Sequence, residues 1–309
     1  MSAHPACSER ALALVRGGYD LHVHSGPDVL PRQANDVEAA RRFAQRGLAG
    51  FAIKSHYAST AARARLARWL VPEVDALGSI CLNASVGGLN PLAAEMAARE
   101  GARIVWMPTV DAENESPSGH PAASGENRPA WAALQDELQT LGVTRGPVRV
   151  MDGNGRVLPE VREVLQVAAR RGMVLATGHL GRDEIFAVVE AAKRAAVRTI
   201  VVTHPDFPTQ RLSAEDQKTL AREEALLERC FTTAHTGKIA WEKMADMIRA
   251  VGARHSFLSS DLGQPHNPPV EDGLALMADR LLALGVPDEE VRMMAVHNTV
   301  GIARGEVGA

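Results

Sequence analysis

The sequence predicts a (β/α)8 barrel, a TIM-type α/β fold, with an insertion after its fourth strand, and three observations support this. Short apolar runs alternate with longer amphipathic segments along almost the whole chain, as repeated βα units require. The alternation counts to eight. Glycines at 47, 101, 172 and 252 each close a helix-like segment just before the next strand. A doubly wound open sheet is the structural rival, but a dinucleotide role there needs a glycine-rich turn after the first strand. Here that turn reads His24-Ser25-Gly26-Pro27-Asp28.

In chain order the predicted strands are Tyr19–His24, Gly50–His56, Ser79–Ala84, Arg103–Pro108, Met173–Thr177, Thr199–His204, Leu226–Thr232 and Ser256–Asp261. Helices are expected over Asn35–Arg46, Ser59–Leu70, Pro91–Glu100, Pro159–Arg171, Asp183–Ala196, Ser213–Glu223, Lys238–Val251 and Glu271–Leu284. Asn90 before Pro91 is a good N-cap followed by proline at the first helical position. Between strands 4 and 5, Asp111–Gly155 is rich in Pro, Gly, Asn, Ser and Glu, with one helix-like stretch, Pro129–Thr140. It also contains VRVMDGNGRV, read as two short strands around a type I′ Asn-Gly hairpin. Loops leaving the C-terminal strand ends form the working face of a barrel, so this insertion is expected as a lid or substrate wall, or as a structural or homo-oligomer contact. Residues 1–309 are accordingly read as one barrel domain.

Composition narrows the class. With 46% hydrophobic and 23% charged residues, the chain is too apolar for a disordered protein. A net charge of −3 supplies no global positive field for nucleic acid or an anionic membrane surface. Three widely spaced cysteines, Cys7, Cys81 and Cys230, make neither a disulfide framework nor a CxxC metal site. No run approaches the ~20 apolar residues of a membrane span, and the N-terminal stretch lacks a signal-peptide core. The expectation is a soluble cytoplasmic protein acting on a small molecule.

The strand ends carry the chemistry. In a strand buried on both faces, an imidazole or charged side chain costs several kcal/mol unless it is paired or metal-bound. His22 and His24 form an HxH pair at the end of strand 1, and two-residue spacing sends both to one face. Lys54 and His56 share that spacing at the end of strand 2. His179 ends strand 5, His204 ends strand 6 and Asp261 ends strand 8. Five histidines, an aspartate and a lysine at one end of five strands are hard to assign to core packing. Neutral imidazole and carboxylate are common ligands of zinc and related divalent ions, so the metal-ligand candidates are His22, His24, His56, His179, His204 and Asp261.

This constellation resembles the amidohydrolase superfamily of metal-dependent barrel hydrolases, from DLHVH at strand 1 to SSDLGQ at strand 8. The resemblance implies one or two divalent ions, zinc foremost, a metal-activated water and Asp261 as proton shuttle. It departs from the pattern at strand 4, where binuclear members carry a carboxylated lysine and this chain reads Trp106-Met107-Pro108-Thr109. Lys54 is therefore left either as a carboxylated bridging ligand or as an ammonium for an anionic substrate group. His204 is read as a ligand or an oxyanion stabiliser. A partial similarity to PHP-type phosphoesterases rests on the HxH pair and His56; the expected aspartate and strand-3 glutamate are absent, Asn83 lying on strand 3.

The expected chemistry is hydrolysis of an amide, cyclic amide or ester bond. Alternatives are a phosphoesterase, a mononuclear non-oxidative decarboxylase and a metal-binding barrel without catalysis. Asn83, Trp106, Gln264 and His266 are candidates to line the mouth. His235 to Lys238 follow strand 7 and open a helix, where backbone N–H groups and Lys238 would receive an anion. His4, His255 and His297 are read as structural or exposed.

Overall fold

The computed structural model describes residues 6–116, 130–143 and 146–306. Its eight strands are β1 (Tyr19–Val23), β2 (Gly50–Ile53), β3 (Asp75–Cys81), β4 (Ala102–Trp106), β5 (Val174–Ala176), β6 (Ile200–Val202), β7 (Leu226–Cys230) and β8 (Ser256–Ser259). Each pairs in parallel with the next in sequence order. The circle closes just past β8: Val23 bridges Leu262, the Asp261 amide donates to His22 O at 2.8 Å, and the His24 amide donates to Leu262 O at 2.8 Å. The barrel prediction therefore holds.

Side-chain alternation divides the core into layers. Leu21, Ala52, Leu77, Ile104, Trp106, Val174, Ala176, Val201, Leu226 and Phe257 form one buried cluster that fills the lower barrel. Outward-facing Phe51, Ile53, Val105, Leu175, Val202 and Leu227 pack under the helices. The helices begin and end for the reasons read in the sequence. Asn35 accepts from Val37 and Glu38 amides in a capping box, Asn90 accepts from Leu92 and Ala93, and Gly47, Gly101 and Gly172 adopt left-handed caps. Pro91–Glu100 and Pro159–Arg171 have the expected bounds, whereas the Lys238–Val251 helix begins only at Trp241.

Four features differ from expectation. The strands stop short of the polar residues assigned to them: His24, Lys54, His56, Asn83, His179, His204 and Asp261 all lie just beyond a strand's C-terminal end. Strand 3 starts four residues earlier than predicted, at Asp75. In the insertion, the helix runs Ala130–Thr140, and Met151 and Val157 pair antiparallel as a hairpin. Its turn is not type I′, because Gly155 (φ 74°) has positive φ and Asn154 does not. The Asp152 carboxylate decides this by accepting from the Asn154 and Arg156 amides. Helices at Glu9–Val15, Asp288–Arg292 and Asn298–Arg304 were not among the predicted segments.

Candidate metal centre

Five imidazoles close a ring across the C-terminal mouth of the barrel. Successive ring centroids are 5.4 Å apart for His22–His24, 5.1 Å for His24–His56, 5.9 Å for His56–His179, 5.5 Å for His179–His204 and 5.1 Å for His204–His22. All five are buried. Asp261 enters from the end of β8, with Oδ1 3.1 Å from both His22 Nε2 and His24 Nε2, while Oδ2 accepts from Thr232 Oγ1 at 2.8 Å.

Local backbone geometry aims these groups. His204 and Asp261 both take left-handed conformations, φ 48° and 55°, which strains a non-glycine residue by roughly 1–3 kcal/mol. Gly263 (φ 134°) lies so close to the first strand that a Cβ would fall 1.7 Å from His24 O. Gly178 (φ 63°), before His179, would place a Cβ 2.4 Å from Met107 O and Pro108 O. Neither position admits a side chain, so His24 and His179 are held at the distance these contacts permit.

Each histidine has its own surroundings. His22 Nδ1 is 3.0 Å from Glu228 Oε1, and Lys54 Nζ is 2.9 Å from His22 Nε2. His56 Nδ1 contacts Thr109 Oγ1 at 2.8 Å. Glu115 Oε1, from the insertion, stands 3.2 Å from His179 Nδ1, near enough for an ion pair but off the line of a hydrogen bond. The Nδ1 atoms of His24 and His204 are buried without a hydrogen-bond partner among the described residues.

Burial holds His24, His56 and His179 in the neutral form at lower pH than usual, and it brings His204 down to about 3. His22 is the exception: burial and Lys54 oppose its charge, but Asp261 and Glu228 outweigh them and raise it. For Asp261, burial favours the neutral acid, yet His22 and His24 carry the balance and hold it well below the carboxylate range. Burial pushes Asp20, whose Oδ1 accepts from the Ser260 amide, up to about 7.

The donor set fits a divalent cation. Donor atoms of His22, His24 and Asp261 lie within 4.8 Å of one another, as do those of an overlapping set, His22, His204 and Cys230. These are imidazole nitrogens, a carboxylate and a thiol, donor types that zinc takes, and the Nδ1 atoms of His24 and His204 have no hydrogen-bond partner among the described residues.

Other predicted site residues fall elsewhere. Trp106 does not reach the mouth: at 2% exposure it lies beneath the site, its ring 4.8 Å from His22 and under Lys54 Nζ at 4.3 Å. Asn83 is fully buried and knits loops together, donating to His56 O and Thr109 Oγ1 and accepting from the Thr109 amide. His235 and Lys238 do not open a helix. His235 ends the short helix Phe231–His235, stacked 4.7 Å from Phe231, and Gly237 (φ 73°) breaks the chain before Trp241. The predicted anion cap at that helix start is therefore corrected, although Lys238 Nζ lies over Phe207 at 5.7 Å. Gln264 donates to Asp261 O at 3.1 Å, and His266 is exposed. His255 is half-buried and His297 exposed, whereas His4 lies outside the described residues.

Sequence reading missed Glu228, Glu115 and an aromatic rim. Tyr57, Trp131 and Phe207 stand 6.1, 6.4 and 5.6 Å from His56, His179 and His204, and all three are partly exposed.

A family model described as a family of unknown function (DUF6282) matches residues 17–228, a span that holds all five site histidines, Lys54 and Glu228. The chain belongs to that family. No curated protein matches it. Among solved structures, this member of the family is similar to a probable dipeptidase, PvdM, from Pseudomonas aeruginosa, at 13% identity over 97% of this chain and 98% of the other, TM-score 0.61. An amidohydrolase from the same organism aligns at 13% identity over 96% and 98%, TM-score 0.60. A TatD homologue from Escherichia coli aligns at 17% identity over 94% and 98%, TM-score 0.54. At these identities the likeness is one of fold, and it agrees with the (β/α)8 barrel.

Proposed function

We propose that the protein is a metal-dependent hydrolase that cleaves an amide, cyclic amide or ester bond of a small molecule. The observation that carries this reading is the closed ring of five buried imidazoles beside Asp261, with Nδ1 of His24 and of His204 lacking a hydrogen-bond partner among the described residues. The similar folds of a structure called an amidohydrolase and one called a probable dipeptidase support it. His22, His24 and Asp261 would hold a divalent ion, zinc by the chemistry of its donors, with His204, His179 and His56 within the same ring. Such an ion lowers the pKa of water toward ~7 and polarises the attacked carbonyl.

The chain's own groups do the rest. Asp261, kept anionic by its histidine neighbours, accepts the proton of the attacking water and passes it to the leaving group. Thr232 fixes its second oxygen. Glu228 accepts from His22 Nδ1, which leaves His22 Nε2 as the nitrogen facing Asp261. The rim of Tyr57, Trp131 and Phe207 gives the substrate an apolar wall beside the polar floor.

The test couples elemental analysis of the purified chain with turnover of a panel of small esters, amides and cyclic amides. One or two divalent ions per chain and metal-dependent turnover are expected, with Asp261→Asn slower by about 10²–10⁴-fold. A chain that binds no divalent ion and turns over nothing refutes the reading. Full activity in Asp261→Asn removes the proton-transfer role.

A further inference from the structure

The neighbours Glu228 and Arg229 on β7 point to opposite sides of the barrel wall. Glu228 faces inward to His22. Arg229 faces outward, between the sheet and the helix Ala214–Arg222, and its side chain has no exposure to solvent. There Arg229 Nη1 donates to both oxygens of Asp206, at 2.7 and 2.9 Å, and to Gln217 Oε1 at 2.7 Å. Gln217 Nε2 in turn donates to Pro205 O at 3.1 Å and Asp206 Oδ1 at 3.2 Å. The whole arrangement grips Pro205 and Asp206, the two residues that follow His204.

His204 is a histidine whose ring orientation depends on its backbone. Among the described residues no hydrogen bond fixes the ring: Nδ1 has no partner and Nε2 is 3.9 Å from Asp261 Oδ2. Its backbone is left-handed, φ 48°, a conformation that persists only where the surroundings enforce it. The adjoining turn is tight, the Phe207 amide donating to His204 O at 2.8 Å. A fully buried charge pair is weak evidence for stability, since an apolar replacement of similar volume often does as well. Its value is geometric, because one buried nitrogen, Arg229 Nη1, reaches both oxygens of Asp206 and so defines where that carboxylate sits.

We infer that Arg229, acting through Asp206 and Gln217, is a positioning residue that holds the His204 backbone in its left-handed turn and so aims the imidazole into the metal centre. The part of this inference that concerns metal rests on the proposed function; the part that concerns the ring does not. Adjacent residues on one strand then serve two candidate ligands from opposite faces, Glu228 through a direct contact and Arg229 through the loop.

The experiment uses the full chain labelled with 15N-histidine, comparing the His204 ring signals in the metal-free protein and Zn2+ affinity by chelator competition. The variants are Asp206→Asn, nearly isosteric, and Arg229→Met. Arg103→Met is the control, removing a half-buried guanidinium that donates to Ala303 O at the far end of the barrel. Thermal stability is recorded for all. The expected result is displaced or broadened His204 ring signals in Asp206→Asn and Arg229→Met, with Zn2+ affinity about 10–100-fold weaker, and neither change in Arg103→Met at any loss of melting temperature. Wild-type-like His204 signals in Asp206→Asn overturn the inference, as does an equal shift in the control. If Arg229→Met does not fold, Asp206→Asn decides alone. A wild-type chain that binds no Zn2+ defeats the proposed function instead, and the ring signals still decide the positioning role.

Discussion

Lys54 Nζ lies 2.9 Å from His22 Nε2, the same nitrogen that faces Asp261 Oδ1 at 3.1 Å. With Nδ1 engaged by Glu228, His22 has one lone pair to offer, and a Lys54 contact and a metal ion would compete for it. A like charge 4 Å away costs about 4 kcal/mol at an effective dielectric of 20, so an ammonium here opposes a divalent ion. Lys54→Met is therefore expected to bind Zn2+ at least tenfold more tightly in a chelator competition. Weaker binding in that variant would mean that Lys54 is itself a ligand.

Glu228 is fully buried in the barrel and contacts His22 Nδ1 and Ser259 Oγ. Burial alone would drive it toward the neutral acid, but His22 reverses that and keeps it below the usual carboxylate range. A carboxylate behind a ligating imidazole fixes its tautomer and orientation. Glu228→Gln, of the same shape, should lower Zn2+ affinity about 10–100-fold while the far-ultraviolet circular dichroism stays that of the wild type. Unchanged affinity would reduce Glu228 to a packing role.

The barrel and its histidines were legible because short apolar runs alternate with amphipathic segments eight times and polar groups recur where those runs end. Glu228 and Arg229 were not, although the signal was present: two adjacent charges inside a strand buried on both faces each require a partner. Alternation says only that they point apart, and the partners His22 and Asp206 lie on other strands or loops. Trp106 shows the reverse error, since position near a strand end does not tell mouth from floor when the preceding layers fill with large side chains. The rim of Tyr57, Trp131 and Phe207 comes from three separate loops, so no spacing in the sequence brings it together.

Asp216 links two helices, with Oδ1 2.5 Å from Arg182 Nη2 and Oδ2 accepting from the Ser213 hydroxyl and amide. The Arg182 bond is the main cause that brings this carboxyl from its ordinary value down to about 2. Its folded pKa lies below the unfolded one, so the stabilisation is complete above about pH 4 and is lost as pH falls through about 2. In urea unfolding, wild type should exceed Asp216→Asn at pH 5, with the gap closing between pH 4 and pH 2. A gap independent of pH would show that the hydrogen-bonding shape, and not the charge, is what matters.

Trp131 stands on the insertion helix Ala130–Thr140 with its ring 6.4 Å from His179, and Gln135 of the same helix donates to Asp111 Oδ1 at 2.9 Å, while Asp111 Oδ2 accepts from the Ala84 amide. The insertion is thus tied to the loop after β3 on the side of the candidate metal centre. Trp131 touches the rim and not the proton-transfer groups, so its truncation removes contact area that substrate and transition state share. Trp131→Ala should raise KM several-fold for substrates with an apolar group next to the cleaved bond and leave kcat near that of the wild type. An equal fall in kcat with KM unchanged would place the tryptophan in the chemistry, and no change in either would mean that the substrate binds away from His179.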